Sequence, residues 1–278
     1  MGEYCMLWLV LLVVLFAALF LFLLFPARAS REARAVFGRR AYAHRGLYEL
    51  DQSVPENSLP AFRRAVEAGY GAELDVQLTK DGQIVVLHDD DLKRSSGLDS
   101  RVCDHTFVEL QALPLFGTDE RIPLFSDVLK IFDGRQPLIV ELKSAAPNVP
   151  ELCEAVRRML AGYNGPACVE SFHPEVVRWF RQNDPSRVRG QLSQAACAWK
   201  GKLPAWKGFA FSRLLSNFRA RPQFIAYGIG PKPWPVRLCE LLGPMRVCWT
   251  AREESLHDQR MAENDAVIFE GYRPPKNQ

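Results

Sequence analysis

Two histidines and three carboxylates in the first half of the chain have the chemistry needed to cleave a phosphodiester. His44 and His88 could accept and donate protons, because imidazole titrates near neutral pH. Glu73, Asp75 and Glu141 offer hard oxygen ligands, which favour Mg²⁺ or Ca²⁺ over zinc or copper. These side chains predict a site for metal-assisted cleavage, provided that the fold brings them together.

Two cations and a further carboxylate accompany this set. Arg45 could offer a bidentate fork to phosphate oxygens, and Lys143 a point charge. Asp89 could orient His88, and a surface aspartate in a turn is the competing interpretation. For the strand carboxylates the alternative is ordinary salt bridges, and for either histidine it is a hydrogen-bonded place in the core.

Eight short apolar segments could position these residues. Several are continuous apolar runs, as is typical of parallel strands covered on both faces. Glu73 and Asp75 project together, because residues i and i+2 of a strand share a face. The pattern predicts a closed (β/α)8 TIM barrel, in which active sites form at the C-terminal ends of the strands. The rival is an open doubly wound sheet, but no Gly-rich phosphate loop follows the first strand. The predicted strands are residues 40–44, 72–77, 138–143, 167–172, 188–193, 224–229, 245–250 and 266–270.

The helices between these strands have recognisable ends. Asn57 or Ser58 can cap a helix that ends at Gly69. A second helix is expected after Asn148, and two others over residues 174–182 and 235–242.

One stretch breaks the alternation of strands and helices. Asp81-Gly82 is a turn signal, and residues 84–87 then resemble a strand paired back on its predecessor. Residues 93–121 are polar and show little periodicity. We expect them to form a small insertion over the mouth of the barrel.

An unbroken apolar run covers residues 7–25 and is close to the ~20 residues that cross a bilayer as a helix. The residues after this run are rich in arginine, so the positive-inside rule predicts a single-pass membrane protein with a cytoplasmic catalytic domain. The predicted division is a transmembrane anchor over residues 1–29 and a barrel domain over residues 30–278. Ala27-Arg28-Ala29 imitates a cleavage site, so a signal peptide and a secreted or extracytoplasmic domain are the alternative.

The cysteines and the net charge argue against several kinds of site and partner. The seven cysteines are dispersed without CxxC spacing, which makes a disulfide framework or a zinc site a poor interpretation. A net charge of +3 is too small to indicate nucleic-acid binding, and we expect no nucleic-acid partner. The basic excess beside the apolar run fits anionic lipid headgroups better.

The order and spacing of six motifs resemble those of the glycerophosphodiester phosphodiesterase family. Its members are phosphatidylinositol-phospholipase-C-like TIM barrel enzymes. The resemblance runs from about residue 42 to the C-terminus, and six linked motifs are far more specific than one short pattern. The motifs are His44-Arg45-Gly46, Pro55-Glu56-Asn57-Ser58, Glu73-Leu74-Asp75, Asp81-Gly82, His88-Asp89 and Glu141-Leu142-Lys143.

The resemblance implies a TIM barrel that uses one divalent cation, Ca²⁺ or Mg²⁺, to hydrolyse glycerophosphodiesters to glycerol 3-phosphate and an alcohol. Glu56 would support the first loop. The remaining implied roles are metal ligation by Glu73, Asp75 and Glu141, acid–base catalysis by His44 and His88, and phosphate contact by Arg45 and Lys143.

The C-terminal half departs from the family pattern. Ala251-Arg252 replaces the usual Val-Asn, and Phe269-Glu270-Gly271-Tyr272 stands where Thr-Asp-x-Pro is typical. These departures leave the choice of substrate open. One alternative is a membrane lipid phosphodiesterase of the lysophospholipase D or phospholipase C type, with a lysophospholipid as substrate. The other is a noncatalytic barrel that binds phospholipids.

Overall fold

The chain forms a closed barrel of parallel strands in a computed structural model that describes residues 2–144 and 148–275. The strands are β1 (Arg40–His44), β2 (Gly71–Leu78), β3 (Ile84–Val86), β4 (Asp91–Leu92), β5 (Leu98–Arg101), β6 (Leu138–Leu142), β7 (Ala167–Ser171), β8 (Arg189–Ser193), β9 (Phe224–Gly228), β10 (Met245–Ala251) and β11 (Ala266–Phe269). Eight of them form the barrel in the order β1, β2, β6, β7, β8, β9, β10, β11, and parallel pairing of β11 with β1 closes it. The predicted TIM barrel is confirmed.

Twelve α-helices lie in the described part of the chain. They are α1 (Gly2–Leu24), α2 (Arg31–Phe37), α3 (Leu59–Ala68), α4 (Lys93–Ser96), α5 (Phe107–Gln111), α6 (Phe125–Phe132), α7 (Val149–Ala161), α8 (Pro174–Asn183), α9 (Ala205–Ser212), α10 (Asn217–Ala220), α11 (Trp234–Leu241) and α12 (His257–Glu263). Ser58, one of two predicted caps, begins α3 by accepting a hydrogen bond from the Ala61 amide. Gly69 ends it with φ at +83°, a conformation that favours glycine.

The barrel interior has an apolar lower layer and a polar upper layer. On β1, β6 and β7, apolar residues alternate at spacing i, i+2 with residues that bear functional groups. Tyr42, Ile139 and Cys168 pack together with Phe224 inside the barrel. Their partners two residues along each strand therefore face the same interior, one layer nearer the mouth. These partners are His44, Glu141 and Glu170.

One glycine of the lower layer is required by close packing. A Cβ at Gly190 on β8 would lie 2.0 Å from the ring of Phe224. We therefore expect Gly190→Ala to lower the free energy of unfolding by about 1–3 kcal/mol, as overpacked cores do. Thermal unfolding checks this against Gly162→Ala, where the nearest atom would be 3.7 Å away. Equal melting temperatures for the two variants would contradict it.

The stretch after β3 is more regular than its sequence pattern indicates. β3 pairs antiparallel with β2, as expected from the turn at Asp81-Gly82. The following residues form the β4–β5 hairpin and the short helices α4 and α5, around a small apolar cluster of their own. The elements are too short for a periodic pattern, so the sequence showed only their polar surface. The buried members of the cluster are Val85, Leu87, Leu92, Val102, Leu110, Leu115 and Ile122.

The N-terminal helix α1 lies against the barrel only at its C-terminal end. Leu24 is fully buried among Leu214, Tyr227 and Val236. The Asn217 side-chain amide donates a hydrogen bond of 3.1 Å to the Leu24 carbonyl. Residues 4–24 form a helix long and apolar enough to cross a membrane, and a signal sequence would meet the same criteria.

Candidate active site

The strand register places the predicted site residues of the strands close together. His44 pairs with Glu73 across β1 and β2, and Asp75 pairs with Glu141 across β2 and β6. Glu141 in turn pairs with Glu170 on β7. Residues opposite each other in register share a face, so the acidic side chains converge at the C-terminal end of the barrel.

Glu73, Asp75 and Glu141 form a buried carboxylate cluster. Each offers an oxygen, and these oxygens lie within 4.8 Å of one another. Burial raises the pKa of Glu73 well above its ordinary value, and repulsion from Asp75 and Glu141 adds to this. A cation would remove that repulsion. Asp75 Oδ1 is also buried without a hydrogen-bond donor among the described residues, so the site fits a hard divalent ion.

Two cations adjoin the cluster. Lys143 Nζ lies 3.1 Å from a Glu141 oxygen and 3.5 Å from Asp75 Oδ1. Arg45 Nε lies 3.5 Å from Asp75 Oδ2. Burial opposes ionisation of Asp75, but Lys143, His88 and Arg45 outweigh it and lower the pKa of this carboxyl. Both predicted phosphate-binding cations therefore border the carboxylates, where an anion held by a metal would meet them.

His44 is held by a carboxylate that the sequence analysis did not assign to the site. Its Nδ1 hydrogen-bonds to Glu270, just beyond the end of β11, and its Nε2 lies 3.8 Å from Glu73. Glu270 also accepts hydrogen bonds from the Tyr48 hydroxyl (3.1 Å) and Arg252 Nε (2.5 Å). Burial opposes ionisation of Glu270, yet the hydrogen bond from His44 and the charge of Arg252 lower its pKa to about 2.

His88 has a carboxylate partner of its own. Its Nδ1 lies 2.6 Å from Asp89 Oδ1, so a proton on Nδ1 would be donated to Asp89 and leave Nε2 free. Arg94, from the insertion after β3, donates to Asp89 at 2.5 Å and to Glu56 at 2.7 Å. The insertion thus contributes to the mouth of the barrel, and Arg94 is a contact that the sequence analysis did not identify.

Glu56 and Asn57 connect the first loop to the cluster. Glu56 binds Arg45 Nη1 at 2.7 Å in addition to Arg94. Asn57 has φ at +57° and does not cap α3. Its side-chain amide instead donates to Asp75 Oδ2 at 2.9 Å. This loop therefore fixes both Arg45 and a carboxylate of the cluster.

An apolar cavity opens beside the cluster. It has a volume of about 240 Å³ and borders Glu141 and Lys143. Its far wall consists of aromatic and aliphatic side chains, including Phe172, Trp199, Leu203 and Phe211. The carboxylate cluster therefore adjoins an apolar surface on the side of β7 and β8.

The sequence matches the Glycerophosphoryl diester phosphodiesterase family over residues 44–271, which include every residue of the candidate site. The chain belongs to this family.

Individual family members align over only part of their length. A glycerophosphodiester phosphodiesterase of Caldanaerobacter subterraneus is 38% identical over 55% of this chain and 65% of its own length. A putative glycerophosphodiester phosphodiesterase of Bacillus subtilis is 39% identical over 60% of this chain and 72% of its own. A lysophospholipase D of Rattus norvegicus is 36% identical over 45% of this chain and 42% of its own. The first-named relative is thus covered over just under two thirds of its length.

Solved structures share the barrel over most of the chain. A glycerophosphodiester phosphodiesterase of Thermotoga maritima has a TM-score of 0.62 and 26% identity, and the match covers 82% of this chain and 93% of that one. A phosphodiesterase of Oleispira antarctica, solved with the product sn-glycerol-3-phosphate, has a TM-score of 0.66 at 23% identity and covers 83% of this chain and 92% of that one. At that identity the second likeness concerns the fold alone.

Proposed function

We propose that this protein hydrolyses glycerophosphodiesters to glycerol 3-phosphate and an alcohol with the help of one divalent cation, Ca²⁺ or Mg²⁺. The observation that carries the proposal is the convergence of Glu73, Asp75 and Glu141 within 4.8 Å, in a barrel mouth that also holds His44 and His88. The activity named for its relatives supports the same reaction.

In the proposed mechanism Glu73, Asp75 and Glu141 hold the cation, which when bound supplies positive charge to the phosphate oxygens. Arg45 and Lys143 bind and orient the same phosphate. They also counter the charge that accumulates on it in the transition state.

The two histidines move protons on either side of the phosphorus. One imidazole takes the proton of the attacking hydroxyl as the new P–O bond forms, and the other donates a proton to the alcohol oxygen as its P–O bond breaks. The attacking group is either the substrate's own glycerol 2-hydroxyl, which gives a cyclic phosphate that water then opens, or water directly. Glu270 and Asp89 keep the imidazoles in position.

A metal-depleted preparation tests the reaction class. We expect negligible release of glycerol 3-phosphate from glycerophosphocholine, glycerophosphoethanolamine and glycerophosphoglycerol, and recovery when Ca²⁺, Mg²⁺ or Mn²⁺ is added separately. The preferred ion should emerge from this comparison. Turnover that is equal with and without each ion would contradict the carboxylate site. A noncatalytic phospholipid-binding barrel would show no turnover under any condition.

Lysophospholipids are a second candidate substrate class. The apolar cavity bordering Glu141 and Lys143 favours them, because it places aromatic surface next to the proposed phosphate site. A relative named lysophospholipase D is consistent with this possibility. Lysophosphatidylcholine and glycerophosphocholine assayed side by side distinguish the two classes.

We further propose that α1 anchors the protein in a membrane, with the barrel domain on the cytoplasmic side. The length and apolar surface of residues 4–24 support the anchor, and the arginines that follow support the orientation. Residues 30–278 would then form the catalytic domain, and residues 1–29 the anchor.

A further inference from the structure

The path of α1 shows which end of the barrel would face a membrane. Phe20 packs against Trp234 with ring centroids 5.0 Å apart, and Trp234 begins α11 beyond the C-terminal end of β9. Farther along, the Ala27 amide donates to the Pro222 carbonyl just before β9 begins. The chain therefore descends from the mouth end to the opposite end, and α1 protrudes on the side of the mouth.

The free length of α1 is short for a bilayer. Residues 4–19 precede the contact with Trp234 and reach roughly 24 Å at 1.5 Å per residue. The hydrocarbon core is about 30 Å thick. A helix of this free length is shorter than that core, so α1 can cross the bilayer only if the mouth end of the barrel lies at the membrane surface and the bilayer thins locally around the helix.

The arginine-rich segment after α1 lies at the opposite end of the barrel. Arg34 on α2 pairs with Asp265 at 3.0 Å and donates to the Gly243 carbonyl at 2.8 Å. Phe37 packs in the lower apolar layer, and its carbonyl accepts a hydrogen bond from the Tyr42 hydroxyl. From its sequence this basic segment was expected to contact lipid headgroups, whereas in the structure part of it packs at the lower end of the barrel.

A different surface lies at the mouth end. α9 crosses the ends of β8 and β9, where Ser193 donates to the Phe211 carbonyl and Tyr227 donates to the Ser212 carbonyl. Its Trp206 is 69% exposed, its Phe209 is 52% exposed, and Trp234 of α11 is 65% exposed. Large aromatic side chains of this kind are typical of the membrane–water interface.

The segment that carries these aromatic residues is basic, and Glu240 near the end of α11 is paired with Lys232. Residues 185–239 contain no Asp or Glu. Lys207 lies over the ring of Trp206 at 5.5 Å, and Arg213 over that of Phe209 at 3.8 Å. Lys200 and Lys202 are exposed just before α9. Basic side chains next to exposed aromatic rings complement an anionic lipid surface.

We propose that Trp206, Phe209 and Trp234, with Lys200, Lys202, Lys207 and Arg213, form an interfacial surface that holds the barrel mouth against anionic lipid headgroups. The proposal rests on α1 spanning the bilayer, and it commits to a lipid surface as the partner. The surface adjoins the apolar cavity through the loop that precedes α9, because Leu203 lines that cavity. A diester with an acyl chain could thus reach the site directly from the membrane.

Quenching of tryptophan fluorescence by brominated lipids tests this contact in the full-length protein. The protein is reconstituted in nanodiscs containing phosphatidylglycerol, in a Trp8→Phe background that removes the tryptophan within α1. We expect Trp206→Phe with Trp234→Phe to lose most of the quenching, and Trp179→Phe on α8 to lose none. Equal quenching in the two variants, or none in the background protein, would overturn the proposal. Quenching that persists unchanged without phosphatidylglycerol would overturn the role of anionic lipid.

A kinetic experiment separates this surface from the catalytic site. Trp206→Ser with Phe209→Ser should reduce turnover of a lysophospholipid held in nanodiscs and leave turnover of soluble glycerophosphocholine unchanged. Leu241→Ser, at an even more exposed position at the far end of α11, should change neither rate. Equal loss on both substrates would contradict a surface role. If the unaltered protein cleaves neither substrate, the proposed function fails while the quenching experiment still decides the membrane contact.

Discussion

Replacing His88 with asparagine is expected to lower kcat for glycerophosphocholine by a factor of about 10² to 10⁴, the usual contribution of a positioned acid or base. His88 is held through Nδ1 by Asp89, which leaves Nε2 for the substrate. Asparagine keeps a polar side chain of similar reach, but it cannot carry a proton between two oxygens. The effect should therefore fall on kcat more than on KM.

The control for this prediction is His105→Asn. His105 lies in the insertion and contacts Ser100 rather than the carboxylate cluster. It should change kcat by less than about twofold, since it makes no contact with the reacting groups. A similar loss in the two variants would indicate that the insertion, and not the imidazole of His88, sets the rate. Metal-induced thermal stabilisation should survive in both.

Asp89 and Glu270 illustrate what local sequence can and cannot indicate. Asp89 adjoins His88 in the chain, so its possible role was apparent from spacing. Glu270 reaches His44 across 226 residues, and only closure of the barrel through β11 and β1 brings them together. Glu270 stands at the aspartate of the family's Thr-Asp-x-Pro motif, so the signal was present. From the sequence, that departure was interpreted as affecting substrate choice, and the contact of Glu270 with His44 was not predicted.

The strands were predictable because burial imposes their pattern. Barrel strands are covered on both faces, so continuous apolar runs mark several of them, and the carboxylates of Glu73, Asp75 and Glu141 stand out within those runs. The insertion was not predictable in the same way. Its helices have only four or five residues, too few for a period of 3.6 to appear. Arg94 was therefore missed, although it connects Asp89 to Glu56.

The N-terminal segment was only partly predictable from the sequence. The apolar run was evident from composition, and the arginines that follow it were expected to contact lipid headgroups, but part of this segment packs at the end of the barrel opposite the mouth. Arg34 forms an ion pair with Asp265 at the lower end of the barrel. The chain between Leu24 and Phe37 passes beneath the barrel. Sequence proximity to a span does not fix spatial proximity to the membrane when the chain folds back along the domain.

Glu73→Gln is expected to abolish most activity and yet make the metal-free protein more stable. The fully buried Glu73 lies among Asp75, Glu141 and Glu170, and burial together with their charges raises its pKa. A carboxyl with a raised pKa in the folded state costs stability once the pH exceeds its unfolded value of about 4.3, so the cost applies at neutral pH. Glutamine removes that cost and also removes a charged metal ligand. We expect kcat/KM to fall by about 10³ or more, because the cation's several kcal/mol of transition-state stabilisation is lost.

Thermal unfolding with and without added cation measures the stability half of this prediction. The free energy of unfolding of the unaltered protein should rise by about 2.7 kcal/mol when the cation is at 100 times its dissociation constant. Glu73→Gln should melt higher than the unaltered protein without the cation and gain little stability from it.

Glu170→Gln is the matched control. Glu170 is equally buried with a raised pKa, and one of its oxygens has no hydrogen-bond partner among the described residues. It lies outside the three-carboxylate cluster, so it should gain stability without the cation and keep the cation-induced increase. If Glu73→Gln melts lower than the unaltered protein in the absence of any cation, the carboxylates do not repel one another in the folded state. The stabilising role assigned to a bound cation would then have no basis.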